Sequence, residues 1–313
     1  MPNKEGSSIR RIQKIKGGSY IISIPPDWIR RNGLDVKSEV EVIETSEGLI
    51  IRPIKPKEAV KEIKFTNIET VEYLITAYYM QGASRIIIRG ERIIRPEDKL
   101  RLKNLQLELP GLEVEEEGFD SIIFRVNYSL DTDIKSSVSN FATRIGDLIS
   151  DLKKAIESSD RAMAEDIKLR VDELMKRYRT IIRQIALIIQ LNYFVLPFKD
   201  IVLFAIAMRD MGRIIHHIKT CAMILSKCEK ISNEIVKEIE EIAELFRKSF
   251  KVFDVEDLSL IPEIRRKTKE LYSINEKIIR NNHCSSEIAK ELNRMLSYII
   301  ALMDDGVHKS VRI

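Results

Sequence analysis

Arg10-Arg11-Ile12-Gln13-Lys14-Ile15-Lys16 runs into Gly17-Gly18-Ser19-Tyr20 and then into the apolar Ile21-Ile22-Ser23-Ile24-Pro25-Pro26. A basic alternating segment, a paired glycine and a second β-branched run predict two short strands joined by a Gly-Gly turn. Pro26-Asp27-Trp28-Ile29-Arg30-Arg31-Asn32-Gly33-Leu34 then predicts a helix of about two turns, with proline at its start and Asn-Gly at its exit. Glu39-Val40-Glu41-Val42-Ile43 and Gly48-Leu49-Ile50-Ile51-Arg52-Pro53 supply two more strands around a turn. So short a β-α-β-β unit buries too little apolar surface to be stable alone, which predicts a partner chain.

This order of elements over residues 8–53 resembles the AbrB/MazE/SpoVT swapped-hairpin family. The basic strand, the Gly-Gly-Ser-Tyr turn, the Ile-Pro-Pro-Asp-Trp helix start, the Gly-Leu helix exit, the Val-Glu-Val strand and the closing Leu-Ile-Ile-Arg-Pro carry the resemblance. It implies a homodimer of intertwined chains that lays a basic face on double-stranded DNA. Charge agrees in sign. Residues 1–31 hold seven cations (Lys4, Arg10, Arg11, Lys14, Lys16, Arg30, Arg31) against two acids (Glu5, Asp27), in a chain whose net charge is only +4. A solvated strand face would show the same charge. With the family pattern added, Arg10, Arg11, Lys14, Lys16, Ser19 and Tyr20 become the expected DNA contacts, through cations and hydroxyls that reach phosphates or base edges.

The chain of 313 residues has room for two or three domains. Neither a secretory leader nor an uninterrupted apolar run of membrane-spanning length is visible, so a soluble, cytoplasmic protein without membrane insertion is expected. Cys221, Cys228 and Cys284 are too few and too irregularly spaced for a disulfide framework, and free buried thiols are expected.

Pro53-Ile54-Lys55-Pro56 reads as a stiff linker closing a first domain at residues 1–56. Residues 57–130 read as a small α+β module: strands near 62–65, 85–89, 112–116 and 121–126, and helices over 67–81 and 96–107. With no Gly-rich phosphate loop and no histidine, this module predicts no catalysis. From about residue 131, apolar residues recur every three or four positions. Helices are expected over 134–157, capped by Asp131 and Thr132, then 160–191 and 200–227, with a second triplet over 232–253, 259–281 and 285–307. Two tandem three-helix antiparallel bundles follow, at residues 131–229 and 230–313. The predicted fold class is therefore multidomain: a swapped-hairpin β head, an α+β middle module and all-α tandem bundles.

The helical half resembles PhoU, the regulator of phosphate uptake, and the head–middle–bundle order is similar to archaeal PhoU-like regulators. Arg209-Asp210-Met211-Gly212-Arg213-Ile214-Ile215-His216-His217 stands where that family has its Glu-Arg-Ile-Gly-Asp-His signature. Some members hold metal clusters through E/D-x-x-x-D pairs, whose spacing puts both carboxylates on one helical face. Here Asp172 is followed by Lys176, Gly212 by His216, Thr268 by Tyr272 and Ser297 by Ala301. One carboxylate in eight positions cannot hold a hard cation cluster, so no multinuclear site and no cofactor are expected. His216 with Asp172 and Cys221 is the remaining combination that could bind a single transition metal, against the commoner alternative of a hydrogen-bonded core or groove histidine. Asp304-Asp305 reads as a solvated helix end.

The four histidines sit in no nucleophile elbow or metal-ligand series, so an enzyme is not expected. Two functions remain open. One is a DNA-binding transcription regulator linked to phosphate uptake or signalling, with the helices as sensor or docking module and Arg170, Arg177, Arg179 and Arg183 on a docking face or an ordinary solvated one. The other is an adaptor dimerised by its head and acting on a transporter ATPase or signalling kinase.

Overall fold

The structure, a computed structural model, describes residues 9–45, 48–54, 58–127, 133–191, 196–228, 231–280 and 283–311. The chain divides into two compact units, Met1–Glu58 and Ala59–Ile313.

In the first unit, β1 (Gln13–Lys14) and β2 (Tyr20–Ile21) pair antiparallel, Lys14 opposite Tyr20. Both strands are short, as the sequence predicts, and Ile12, Ile15, Ile21 and Ile22 beside them are all exposed. Helix α1 (Pro26–Arg31) starts on proline, which fixes φ where no N–H partner is needed. It ends at Asn32, whose Nδ2 donates to the Trp28 carbonyl at 2.8 Å, and at Gly33 in the left-handed region (φ +64°). β3 (Val40–Thr45) and β4 (Gly48–Pro53) form a regular hairpin. Glu41 lies opposite Arg52 in that register, and its Oε2 accepts from Arg52 Nε at 2.8 Å and Nη2 at 2.6 Å.

The second unit begins with β5 (Val60–Lys64), α2 (Ile68–Met80), β6 (Arg85–Arg89), α3 (Pro96–Asn104), β7 (Leu112–Glu117) and β8 (Ser121–Val126). The sheet order is β5-β6-β8-β7, with β5 parallel to β6 through the α2 crossover and the other pairs antiparallel. Alternation puts Ile86, Ile88, Ile122 and Phe124 on one face, fully buried under Val71, Ile75 and Tyr79 of α2 and Leu102 of α3. Elsewhere on the sheet Glu115 accepts from Arg85 and Arg125, each at 2.6 Å.

Six helices follow: α4 (Ile134–Ser158), α5 (Arg161–Gln190), α6 (Phe198–Leu225), α7 (Asn233–Val255), α8 (Ile261–Ile279) and α9 (His283–Ser310). The expected caps Asp131 and Thr132 lie outside the described residues. Asp133 caps α4 by accepting from the Ser136 amide, and Asp160 caps α5 by accepting from Ala162 and Met163. Helices α4–α6 and α7–α9 form two triplets that share one core, since α6 lies along α9 and α4 along α7. No helix among the described residues is long and apolar enough to cross a membrane.

Two findings correct the sequence reading. The first concerns Arg183, expected on an exposed face, which is buried instead. Its Nη1 donates to the Tyr79 and Ala83 carbonyls at 2.6 and 2.9 Å, with the guanidinium 5.0 Å from the Tyr79 ring centroid. Arg179 pairs with Glu108 at 3.1 Å and Gln190 Nε2 donates to the Gln81 carbonyl at 2.6 Å, so α5 is tied to the sheet layer and both lie within one compact unit. The second correction is a disulfide, Cys228–Cys284. The two residues are 56 apart in sequence, but the path through α7 and α8 brings the start of α9 back beside the end of α6. Cys221 alone remains a free, fully buried thiol, its pKa pushed well above the usual range by burial and then by Glu291.

Candidate nucleic-acid interface

The residues expected to contact DNA lie on the β1–β2 hairpin and the segment before it. Ile15 donates its amide to the Ser19 carbonyl at 3.0 Å, and Gly18 to the Ile15 carbonyl at 3.2 Å. Gly17 (φ +114°) and Gly18 (φ +94°) make that reversal possible, at angles side-chain-bearing residues avoid. Arg10, Arg11, Lys14, Lys16, Ser19 and Tyr20 are all exposed. Lys14 Nζ sits 5.9 Å from the Tyr20 ring centroid, which places an ammonium and a phenol side by side on one face. None of the four cations makes an ion pair among the described residues, whereas Arg30 of α1 is held by Asp27 and Arg52 by Glu41. Four uncompensated cations on an exposed hairpin are chemically suited to an anionic surface: guanidinium and ammonium for phosphate oxygens, Ser19 and Tyr20 hydroxyls for further hydrogen bonds.

A second feature of this unit is what it fails to bury. Arg52 is the only buried side chain among described residues 9–54, and Leu49, at the tip of the second hairpin, is 70% exposed.

In the helical half the structure does not assemble the candidate metal site. Asp172 is bound by the Lys219 ammonium, Cys221 is sealed in the core, and His216 faces outward. Among the described residues no group of three His, Cys, Asp or Glu side chains could hold a metal ion. Of the adjacent histidines it is His217 that faces the interior. Its Nδ1 lies 2.6 Å from Glu291 Oε2, and its ring is stacked on Tyr298 at 5.8 Å. Burial holds the His217 pKa below the ordinary value although Glu291 pulls it up. Arg294 lies 3.5 Å from the other Glu291 oxygen.

Asp304-Asp305 is likewise not a solvated helix end. Asp304 faces Arg265 at 3.5 Å, but Asp305 is only 7% exposed, with Oδ2 unpartnered beside the buried Asp210. Burial, then Asp210, raises the Asp305 pKa to about 7, against the opposing pull of Arg209. Sequence reasoning also passed over Glu238. The available signal was an acid set among Ile235, Ile239 and Ile242, where the periodicity of α7 reserves positions for the core.

Residues 13–59 match the family described as "Antidote-toxin recognition MazE, bacterial antitoxin". Among solved structures, the phosphate transport system regulatory protein PhoU from Streptococcus pneumoniae is similar, with a TM-score of 0.50 at 14% identity, over 58% of this chain and 97% of that one. No curated relative matches in sequence. The chain thus joins a MazE/AbrB-like N-terminal domain to a helical half with the PhoU fold.

Proposed function

We propose that the protein is a DNA-binding transcription regulator whose head grips duplex DNA as a homodimer and whose helical half serves as a sensor or docking module linked to phosphate uptake or signalling. The observation that carries this reading is the exposed Gly-Gly hairpin with Lys14 and Lys16, inside residues 13–59 that match a MazE-type domain, together with Arg10 and Arg11 just before it, all four without an ion-pair partner among the described residues. Dimerisation rests on the head's lack of a buried apolar side chain among its described residues: a second copy would cover Ile12, Ile21, Val42 and Leu49. Two-fold symmetry then favours a palindromic or paired DNA site.

The test is full-length protein titrated against duplex DNA over a salt series. The parent should lose affinity steeply, because each neutralised phosphate adds about 0.9 to the slope of log K against log salt. Arg10→Ala/Lys14→Ala should cut that slope by about two per protomer. Salt-independent or absent binding sinks the proposal. It would favour the second reading, which the toxin-recognition description of the matched family supports: a head that dimerises and binds protein, with bundles acting on a transporter ATPase or kinase.

A further inference from the structure

Glu238 on α7 is a carboxylate out of place. Only 3% of the residue is exposed, and both oxygens are buried without a hydrogen-bond partner. Burying a charge in this state is costly, and the chain answers by raising the pKa to about 7, through burial first and then the neighbouring Glu234. Yet bases are close at hand. Lys267 goes instead to Glu241 at 3.0 Å and Arg266 to Glu270 at 2.6 Å, while Lys237 and Lys277 are exposed, as long cationic stems on a helix usually are. Of the four groove acids, Glu241 and Glu270 are neutralised, while Glu234 and Glu238 keep no ion pair among the described residues, and of these two Glu238 is the buried one.

Glu238 lines a groove of about 430 Å³ between α7 and α8. The groove exists because α7 spends its apolar stripe (Ile235, Ile239, Ile242, Phe246) on the shared core, and α8 turns Ile264, Leu271 and Ile278 inward, so the two helices touch each other only lightly. Residues Glu234, Glu238 and Glu241 recur at helical spacing along one wall. The facing wall offers the aliphatic side chains of Leu271 and Ile274.

We propose that this groove is a binding site for a small aliphatic primary amine, whose ammonium is received by the Glu238 carboxylate and whose methylene chain lies over Leu271 and Ile274. The volume falls in the range of small-molecule sites, and the lining sets the aliphatic Leu271 and Ile274 among charged side chains, of which Glu238 is the buried one. An ammonium supplies hydrogen-bond donors and a positive charge together, which is what two orphaned carboxylate oxygens lack. A metal ion fits less well. Hard cations take six or more oxygen ligands. Only Glu234 and Glu238 are carboxylates here without an ion pair among the described residues.

The experiment is calorimetric titration of the full-length protein with ethylamine, propylamine and pentylamine at constant ionic strength, in the parent, Glu238→Gln and Ile274→Ser. The proposal expects saturable binding that tightens about two- to fourfold per added methylene. Glu238→Gln should lose at least tenfold in affinity while its thermal melt stays at or above the parent's, since it removes a buried charge. Ile274→Ser, at a half-exposed position, should flatten the chain-length dependence. No saturable binding, equal binding in Glu238→Gln, or displacement of pentylamine by magnesium chloride beyond a matched sodium chloride control each overturns it. Tighter capture of N-acetyl-lysinamide than of pentylamine would overturn the free-amine assignment in favour of a protein lysine.

Discussion

The two compact units handle charge and apolar surface in opposite ways. In Ala59–Ile313 the six helices share one apolar core, and most surface cations are matched, as Arg170 is by Asp151 and Lys248 by Glu263. In Met1–Glu58 Arg10, Arg11, Lys14 and Lys16 all stand without an ion pair among the described residues, and isoleucines point into solvent. The difference teaches where each unit's free energy is realised. The helical unit settles its balance within its own chain, whereas the head is arranged so that neutralisation and burial come from outside.

The largest expected effect tests the self-sufficiency of the helical unit. The Cys228–Cys284 bond closes a long loop that spans α7 and α8, and a cross-link of this separation restricts the unfolded chain by up to about 4 kcal/mol. Cys228→Ser should therefore lower the melting temperature of the helical signal by on the order of 10 °C. Reductant added to the parent should reproduce the shift, and reductant added to the variant should do nothing further. A parent melt indifferent to reductant would mean that packing of α9 on α6 and α7 already fixes the segment.

A smaller effect separates the charges the helical unit pairs from those it buries. Asp305 has a folded pKa of about 7 against an ordinary value of 3.8, so the native state keeps a proton that the unfolded chain releases. Its share of stability is full below about pH 4 and is lost as pH rises through about 7, by about 1.4 kcal/mol per unit at most and about 2 kcal/mol after relaxation. Asp305→Asn keeps the shape without the charge. It should match the parent at pH 4, exceed it by about 2 kcal/mol at pH 8, and flatten the urea midpoint between them. Parallel pH profiles for parent and variant would show that Asp305 remains ionised, held by Arg209.

How much of this was legible beforehand follows from what each signal encodes. The helices were readable because a 3.6-residue apolar period is written locally, and the PhoU-like half shows it over long spans. The hairpin glycines were readable because positive φ is a one-residue requirement. What covers the head's apolar residues was not, since alternation in 10–16 specifies a face without specifying what packs on it. The disulfide was hidden because a separation of 56 residues carries no spacing signal. The histidines illustrate the same limit more finely: adjacency shows that His216 and His217 face different ways, but only Glu291, 74 residues on, decides which is inside. Asp305 read as part of a solvated helix end for the same reason, since Asp210, which it faces, is 95 residues before it in sequence.

The smallest expected effect is also the sharpest test of the contrast between units. The side chains of Arg10 and Lys14 make no hydrogen bond or ion pair among the described residues, and Lys14 lies 5.9 Å from the Tyr20 ring centroid. Arg10→Ala/Lys14→Ala should therefore change stability by less than about 0.5 kcal/mol in either transition, as exposed substitutions remote from packing usually do. Removing two like charges from a basic hairpin would, if anything, relieve repulsion, so a slight gain at low salt is the expected direction. A clear loss of stability would mean that these side chains hold the head together, for instance across a dimer interface. Their loss of DNA affinity would then report unfolding or dissociation of the head instead of missing phosphate contacts. An unchanged melt alongside a reduced salt slope leaves phosphate recognition as the role of these cations, and confines the head's structural demands to the apolar residues that a second copy would cover.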